Sequence, residues 1–252
     1  MFDLSGHVAL ITGGNGGIGL AFARGLVKSG ARVLIWGRDE RKNAAALAVL
    51  GDLGGEARAF RCDVTEPDRV REVFAASLDC FGKVDSCFAN AGGAGRRGPL
   101  QQMDLDNWRG IVELNLNGVV YTCQPFIEHL LERDAPGKIV ITSSVAALLG
   151  VGLQASYAAT KAAVLGLARS LAVELGRSGI TANALLPGFV ETELSANTPQ
   201  AFKDAAMRRA CLGRIGTTQD MEGVAVFLAS RHSDFMTGHG LVIDGGHTVH
   251  PM

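Results

Sequence analysis

Tyr157 and Lys161 have the residue types and the spacing for proton transfer. They lie in segment 155–174, which has no Pro and repeats Leu, Val and Ala at helical intervals. In an α-helix, residues i and i+4 project from one face, so the phenol and the ammonium can meet. An ammonium beside a phenol lowers the pKa of the phenol. Each unit of such a pKa shift corresponds to about 1.4 kcal/mol of interaction free energy. We therefore predict that Lys161 activates Tyr157 as an acid and base.

A hydroxyl group is expected close to this pair. Residues 139–142, IVIT, are typical of a buried strand, and Ser144 follows two residues later. In open parallel sheets, active-site groups collect at the carboxyl ends of strands. Ser144 is therefore expected to face Tyr157 across a short loop. A solitary Tyr-x-x-x-Lys pattern also fits a solvated pair on a helix surface. Other motifs in the chain are therefore needed to decide between a catalytic pair and a solvated one.

The composition limits the classes of function. With 252 residues, 47% of them hydrophobic, the chain can form one large α/β domain. Its net charge of −1 gives no electrostatic reason to expect a nucleic-acid or anionic-membrane partner. The start, MFDLSGHVALITGG, has no basic region, and no apolar run has the length of a membrane span.

The cysteines and histidines show no metal-binding pattern. The five cysteines have no CxxC spacing, and the histidines do not form an HExxH motif. Scattered cysteines of odd number are typical of buried thiols in a reducing compartment. We expect a cytoplasmic protein without a metal site.

Short β-branched runs alternate with longer Ala- and Leu-rich segments along the chain. This order predicts an α/β fold with a doubly wound, seven-stranded parallel sheet and helices on both faces. No linker or repeat interrupts it, so residues 1–252 are expected to form a single domain. The predicted strands are 7–12, 32–36, 57–62, 86–89, 138–142, 181–185 and 240–243. The predicted helices are 17–29, 40–50, 68–81, 105–132, 155–177, 199–210 and 219–230.

A glycine-rich turn joins the first predicted strand to the first predicted helix. Residues 12–19 read TGGNGGIG. Glycines let the backbone approach a pyrophosphate closely, and the following helix presents unpaired N–H groups and the positive end of its dipole. The turn therefore predicts a dinucleotide site.

Together these motifs resemble the short-chain dehydrogenase/reductase family. Residues 12–19 have its TGxxxGxG spacing, and Ser144 lies thirteen residues before the Tyr157 and Lys161 pair, as in that family. The resemblance covers nearly the whole chain. It implies a Rossmann-type fold, a homotetramer, and reversible hydride transfer between a nicotinamide cofactor and a small ketone or secondary alcohol.

The resemblance also implies four catalytic residues. Tyr157 would donate a proton to the carbonyl oxygen, Ser144 would orient that oxygen, and Lys161 would hold the nicotinamide ribose. Asn115, in the run LNLNG, would distort the predicted helix 105–132 and hold a water joined to Lys161. Asn117 is interpreted as structural.

The implied cofactor residues come from several segments. The Asp63 side chain and Val64 backbone would hold the adenine edge, the Asn90-Ala91-Gly92 motif would line the ribose side, and Thr192 would bind the nicotinamide amide. The full set is Thr12, Gly13, Asn15, Gly17, Ile18, Gly19, Gly37, Arg38, Asp63, Val64, Asn90, Ala91, Gly92, Tyr157, Lys161, Pro187, Gly188, Val190 and Thr192.

The end of the second strand bears on cofactor choice. Gly37 stands where NAD-dependent members of the family place Asp, and Arg38 follows it. An Arg at this point accommodates a ribose 2′-phosphate, which favours NADP(H). NAD(H) stays open because Asp39 and Glu40 are adjacent, and because Gly16 occupies a position that is basic in many NADP-dependent members.

Substrate recognition is assigned to two loops. Arg96 and Arg97, in loop 93–98, are interpreted either as anion-binding or as solvated, and segment 189–212 is expected to cover the substrate. The tail histidines, His247 and His250, are expected to contact a neighbouring subunit at most.

Two other functions remain open from the sequence. One is an NAD(H)-dependent sugar, polyol or alcohol dehydrogenase, and the other is a non-catalytic dinucleotide sensor. The presence of both Tyr157 and Lys161 counts against the sensor.

Overall fold

The computed structural model describes residues 2–196 and 198–249. Its strands are β1 (Val8–Thr12), β2 (Arg32–Gly37), β3 (Ala57–Arg61), β4 (Ser86–Ala89), β5 (Gly137–Thr142), β6 (Ile180–Pro187) and β7 (Gly240–Ile243). All pair in parallel in one sheet, in the order β3-β2-β1-β4-β5-β6-β7. This confirms the seven-stranded parallel sheet that the sequence predicts.

The helices connect successive strands. They are α1 (Gly17–Lys28), α2 (Glu40–Asp52), α3 (Pro67–Phe81), α4 (Leu105–Val112), α5 (Gly118–Glu132), α6 (Ala155–Leu175), α7 (Gln200–Arg209) and α8 (Glu222–Ala229). Short 3₁₀ turns include Val145–Ala147 before α6 and Glu193–Ser195 before α7. None of the described helices has the length and apolarity to cross a membrane.

Two apolar cores cover the two faces of the sheet. Along β1, Val8 and Leu10 point into one core while Ala9 and Ile11 point into the other, as the two-residue period of a strand requires. Helices α3, α5 and α6 cover the first face, and α1, α2 and α8 cover the second. Strands buried on both faces explain the continuous apolar runs in the sequence.

The connection between α3 and β4 reverses the direction in which the sheet grows. The chain passes from β1 outward to β3 and then returns to place β4 beside β1. At such a switch point the flanking loops diverge and leave a crevice at the carboxyl ends of the strands. The fold therefore places a ligand site beyond β1 and β4.

The predicted helix 105–132 has the predicted ends and is helical throughout. It consists of α4, a π turn at Glu113–Asn117 and α5. The π turn confirms the distortion predicted at Asn115. A π turn inserts an extra residue into the helical hydrogen-bond ladder and is frequent at functional sites.

Helix α2 begins at a clear capping residue. The Asp39 carboxylate accepts hydrogen bonds from the backbone N–H groups of Arg41 (2.9 Å) and Lys42 (3.1 Å). This is the usual arrangement at a helix N-terminus. The Asp39 carboxylate is thus already hydrogen-bonded to the first turn of α2.

The tail after β7 folds back towards α7. The backbone oxygen of His247 accepts a hydrogen bond from Nε of Arg209 at 3.4 Å. His250, the other tail histidine, lies outside the described residues. The expected contact of this tail with a neighbouring subunit stays a prediction.

A chain of hydrogen bonds ties the strand ends together at the switch point. The Thr12 hydroxyl accepts from the backbone N–H groups of Asn90 and Ala91, both at 3.0 Å. The Asn90 amide donates to the Thr12 carbonyl oxygen (3.1 Å) and accepts from the Thr142 hydroxyl (3.1 Å). The ends of β1, β4 and β5 are therefore held in register by side chains.

We predict that Thr12→Val destabilises the protein by about 2 kcal/mol or more, since two backbone donors lose their acceptor in a nearly isosteric change. Urea unfolding measures this loss. Thr122→Val is the matched control, because that equally buried hydroxyl only donates to a carbonyl within its own helix. Its expected loss is below about 1 kcal/mol. Equal losses in the two variants would contradict the role assigned to Thr12.

Candidate active site

A cleft of about 140 Å³ opens at the carboxyl ends of β1 to β4. It contains many of the residues that the sequence predicts for cofactor binding. Those lining it are Gly13, Asn15, Gly37, Arg38, Asp63, Val64, Ala91 and Gly92. Trp36, Cys62 and Leu114 also line it, although the sequence pattern gave no reason to include these apolar side chains.

The glycine-rich turn forms a cradle of backbone at one wall of the cleft. Gly13 and Gly17 have φ angles of +63° and +50°, which favour glycine. A Cβ atom on Gly19 would lie 2.2 Å from the Gly13 carbonyl oxygen, so the turn closes onto the helix only with glycine there. Helix α1 has no side-chain cap and no acidic residue in its first turn. Its free N–H groups therefore fit a pyrophosphate.

The rim beyond β2 is built from two amides and a glycine. The Asn15 amide donates to Asn43 Oδ1 (2.7 Å), and Asn43 donates to the Gly37 carbonyl oxygen (3.0 Å). A Cβ atom on Gly37 would lie 2.2 Å from the Asn15 amide nitrogen. A side chain at residue 37 would therefore require these two amides to move. Asn43 is a site residue that the sequence reasoning missed, because no motif marks it.

Arg38 is the cation at this rim. Its side chain is 68% exposed and lies 3.6 Å from an Asp63 carboxylate oxygen. Burial raises the pKa of Asp63, but hydrogen bonds from Thr65 and the Arg38 guanidinium outweigh it and hold the pKa below its ordinary value. Arg38 is available to an anion in the cleft, as a cofactor 2′-phosphate would require.

An ion pair that the sequence did not indicate joins the rim to the segment after β6. The Lys42 ammonium, on the first turn of α2, binds the Glu193 carboxylate. The neighbouring Thr192 lies over the glycine-rich turn, since a Cβ atom on Gly17 would be 3.4 Å from its methyl group. The pair therefore bridges two elements on either side of the glycine-rich turn.

The remaining predicted cofactor residues lie around the ends of β1, β4 and β6. Gly188 follows β6 and packs on Asp244, whose Cα would be 2.7 Å from a Cβ atom at residue 188. Val190 pairs with Gly216, and Thr192 and Ser195 cap each other across the short turn. Ile18 lies in the first turn of α1, Asn90 follows β4 and Pro187 ends β6.

Helix α6 presents Tyr157 and Lys161 to the same end of the sheet. Lys161 is buried, and its ammonium donates to the Thr142 carbonyl oxygen at 2.8 Å. The ammonium lies 5.8 Å from the centre of the Tyr157 ring. A Cβ atom on Gly92 would be 3.4 Å from the same ammonium, so helix α6 adjoins the cleft that Gly92 lines.

Ser144 is placed opposite Tyr157, as predicted. It lies at the N-terminus of the 3₁₀ turn Val145–Ala147, where its hydroxyl accepts from the Ala146 N–H at 3.1 Å. The Ser144 side chain is close enough to Tyr157 to favour the phenolate and so to lower its pKa. The two groups can share one substrate oxygen.

The pKa values differ from the sequence prediction. Burial raises the pKa of Tyr157 and outweighs the effect of Ser144. Burial also lowers the pKa of Lys161 to about 8. The predicted lowering of the Tyr157 pKa by Lys161 is therefore corrected, because the ammonium is directed to Thr142 and is itself destabilised by burial.

The π turn directs Asn115 inward. Its amide donates to the Gly93 carbonyl oxygen (2.9 Å) and the Thr160 hydroxyl (3.2 Å), and its oxygen accepts from the Gly93 N–H (2.8 Å). Its side-chain amide therefore has protein partners, and the predicted water that joins Asn115 to Lys161 stays a prediction. Asn117 donates to Glu113 on the same turn. Asn115 fastens loop 93–98 to α6.

Comparison with known proteins identifies the family. The family model described as enoyl-(acyl carrier protein) reductase matches residues 13–248. A 3-oxoacyl-(acyl-carrier-protein) reductase of Chlamydia pneumoniae is 37% identical, over 97% of this chain and 98% of the relative. Gluconate 5-dehydrogenase of Gluconobacter oxydans is 37% identical, over 99% and 97%.

A solved structure agrees with these relatives. The gluconate 5-dehydrogenase of Burkholderia cenocepacia, in complex with NADP and tartrate, superposes with a TM-score of 0.93. It is 39% identical, with 98% of this chain and 97% of that chain covered. The chain belongs to the short-chain dehydrogenase/reductase family, and it is an NAD(P)-dependent oxidoreductase of carbonyl and alcohol groups.

The lowered pKa of Lys161 predicts a pH-dependent stability. Between about pH 8 and its ordinary value of 10.5, the unfolded chain binds more protons at this residue than the folded chain. The free energy of unfolding therefore rises with pH across this window, by about 3 kcal/mol from this group. Below the window the buried ammonium reduces stability by this full amount.

Urea unfolding of the wild type and Lys161→Met at about pH 7 and about pH 10 tests this prediction. The difference in unfolding free energy between the two proteins should shift in favour of the wild type as the pH rises. Titration of Tyr157 and of the cysteines affects both proteins and cancels in the difference. Parallel pH profiles would refute the assignment.

Proposed function

We propose that this protein is an NADP(H)-dependent reductase of small ketones that also oxidises the corresponding secondary alcohols. One observation carries the proposal: the Ser144 side chain, the Tyr157 phenol and the buried ammonium of Lys161 come together at the carboxyl end of β5. This arrangement offers two donors to one carbonyl oxygen and a proton reservoir behind them.

Each polar group has a distinct role in this reaction. The bound nicotinamide cofactor supplies the hydride to the carbonyl carbon. Tyr157 donates its proton to the carbonyl oxygen, and Ser144 donates a hydrogen bond that orients this oxygen. Lys161 then returns a proton to the Tyr157 oxygen. A lysine with a pKa of about 8 is present in both protonation states near neutral pH, which suits this transfer.

The raised pKa of Tyr157 fits the reducing direction. A buried phenol with a pKa above its ordinary value stays protonated at neutral pH and is ready to donate. Alcohol oxidation needs the phenolate, so it should speed up with rising pH. Asn115 supports the site by holding loop 93–98 and Thr160 in place.

Different elements of the fold would bind different parts of the dinucleotide. Thr12, Asn15, the glycine-rich turn and Ile18 would hold the pyrophosphate side, and Asp63 with Val64 the adenine. Segment 90–92 would hold the ribose beside the nicotinamide. Segment 187–192 would hold the nicotinamide, with segment 189–212 as the substrate loop.

The rim of the cleft favours NADP(H) over NAD(H). Arg38 is exposed there, residue 37 is Gly and carries no carboxylate, and Asp39 is already engaged as a helix cap. The related Burkholderia structure contains NADP, which supports the same preference. An NAD(H)-dependent sugar, polyol or alcohol dehydrogenase is the alternative that the cofactor experiment addresses.

The cysteines support a cytoplasmic location, since all five are free thiols and three of them are buried. We also infer a homotetramer from family membership. Light scattering of the purified protein measures that state directly.

We predict that NADPH binds at least tenfold more tightly than NADH, and that Arg38→Met removes most of this difference by raising the NADPH dissociation constant. Quenching of tryptophan emission reports binding, because Trp36 lines the cleft. Arg41→Met, which changes an exposed Arg three residues further on, in the first turn of α2, serves as the control. If NADH binds as tightly as NADPH to the wild type, the oxidative dehydrogenase becomes the preferred function.

We predict that Tyr157→Phe lowers kcat by at least a thousandfold and leaves the NADPH dissociation constant within about twofold, because only the proton donor is lost. Tyr121→Phe is the control, since Tyr121 is the chain's other tyrosine and lies on α5. It should keep ordinary turnover. Ordinary turnover by Tyr157→Phe would remove this phenol from the mechanism, and a protein that binds NADPH without any turnover would indicate a sensor.

A further inference from the structure

Loop 93–98 is fixed on both sides by backbone contacts. The Arg96 N–H donates to the Asn107 side-chain oxygen at 3.0 Å, and the Gly98 N–H donates to the Leu153 carbonyl oxygen at 3.0 Å. Gly95 has a φ of +68° and packs so tightly that a Cβ atom would lie 2.7 Å from Ile111. The backbone of the loop is therefore fixed on both sides of Arg97.

The Arg97 guanidinium lies between the first turn of α6 and helix α7. It donates to the Gln154 side-chain oxygen at 3.3 Å. Its central carbon lies 4.6 Å from the centre of the Phe202 ring, and Phe202 packs edge-on against Phe189 with ring centres 5.6 Å apart. Gln154 lies three residues before Tyr157. The cation thus adjoins the start of the helix that carries Tyr157 and, through the two Phe rings, the segment after β6.

This cation has no counter-charge in the described part of the chain. Within residues 2–196 and 198–249, no carboxylate oxygen lies within 4.0 Å of an Arg97 nitrogen. The acidic side chains of segment 189–212 are engaged elsewhere. Glu191 pairs with Lys203, Glu193 pairs with Lys42, and Asp204 accepts from Gln200.

We propose that Arg97 binds a carboxylate group of the substrate, so that the preferred substrates are small oxo- or hydroxycarboxylates. The guanidinium fork matches the two oxygens of a carboxylate, and the Gln154 amide nitrogen is a second donor beside it. A single cation matches a monoanion better than a phosphate. Stacking on Phe202 holds the guanidinium plane and leaves its edge for the ligand. The proposal rests on the proposed function, because it assigns the far end of the same substrate.

Steady-state kinetics with paired substrates tests this proposal. The pairs are oxocarboxylates of increasing chain length and their methyl esters, each with saturating NADPH. The wild type should prefer the acid in at least one pair. Arg97→Gln should raise KM for that acid by about tenfold or more, with kcat and the kinetics of the ester nearly unchanged. The matched control is Arg96→Gln, which neutralises the adjacent exposed Arg and should change neither substrate.

Binding measurements separate the possible failures. An unreactive short carboxylate should raise the melting temperature of the wild-type complex with NADPH and lose this effect in Arg97→Gln, while the NADPH dissociation constant stays the same. Equal kinetics of acid and ester in the wild type, or equal loss of both in Arg97→Gln, would overturn the proposal. If no ketone or alcohol is turned over, the proposed function fails, and retained carboxylate binding through Arg97 would still support the anion site.

Discussion

A buried ammonium has to be hydrogen-bonded or it destabilises the fold, and Lys161 places this constraint on the whole site. Its donor bond ends on the Thr142 carbonyl oxygen, while the Thr142 hydroxyl binds Asn90 and Asn90 binds Thr12. The catalytic helix is thereby connected to three strand ends and to the glycine-rich turn. Because one set of bonds spans both halves of the site, the cofactor cleft and the proton-transfer groups are placed together.

The same connection explains why the π turn is tolerated. Asn115 carries its hydrogen bonds to Gly93 and Thr160, so it fixes the loop after β4 and the helix that carries Tyr157. A regular helix through residues 113–117 would turn this amide to a different angle. The π turn disrupts the regular helical hydrogen bonds locally. In exchange, the Asn115 side chain fixes the positions of loop 93–98 and helix α6.

Much of the fold was predictable from the sequence, because its signals are local. Strand periodicity, the glycine-rich turn and the i, i+4 spacing of Tyr157 and Lys161 each depend on neighbouring residues. The distortion of helix 105–132 at Asn115 was predicted only through the family resemblance, since the apolar period continues through it. The Tyr157 pKa was predicted with the wrong sign, because burial depends on every element packed around the phenol.

The parts that escaped prediction share a physical cause. The Asn15 and Asn43 pair joins residues 28 positions apart, and the Arg97 contacts join loop 93–98 to Gln154 and to helix α7, which are distant in sequence. No spacing rule connects such residues, because their contact exists only after the sheet has formed. Substrate recognition in this fold is built from these long-range contacts, and sequence patterns therefore identify the chemistry sooner than the substrate.

The packing around Gly37 has a consequence for how this enzyme can evolve. An acidic side chain at this position would displace the Asn15 amide from its place beside Asn43, which is itself tied to the backbone of β2. A mutation at residue 37 would therefore rearrange the rim as well as change its charge. The same mutation would thus have different effects on cofactor choice depending on the residues present at positions 15 and 43.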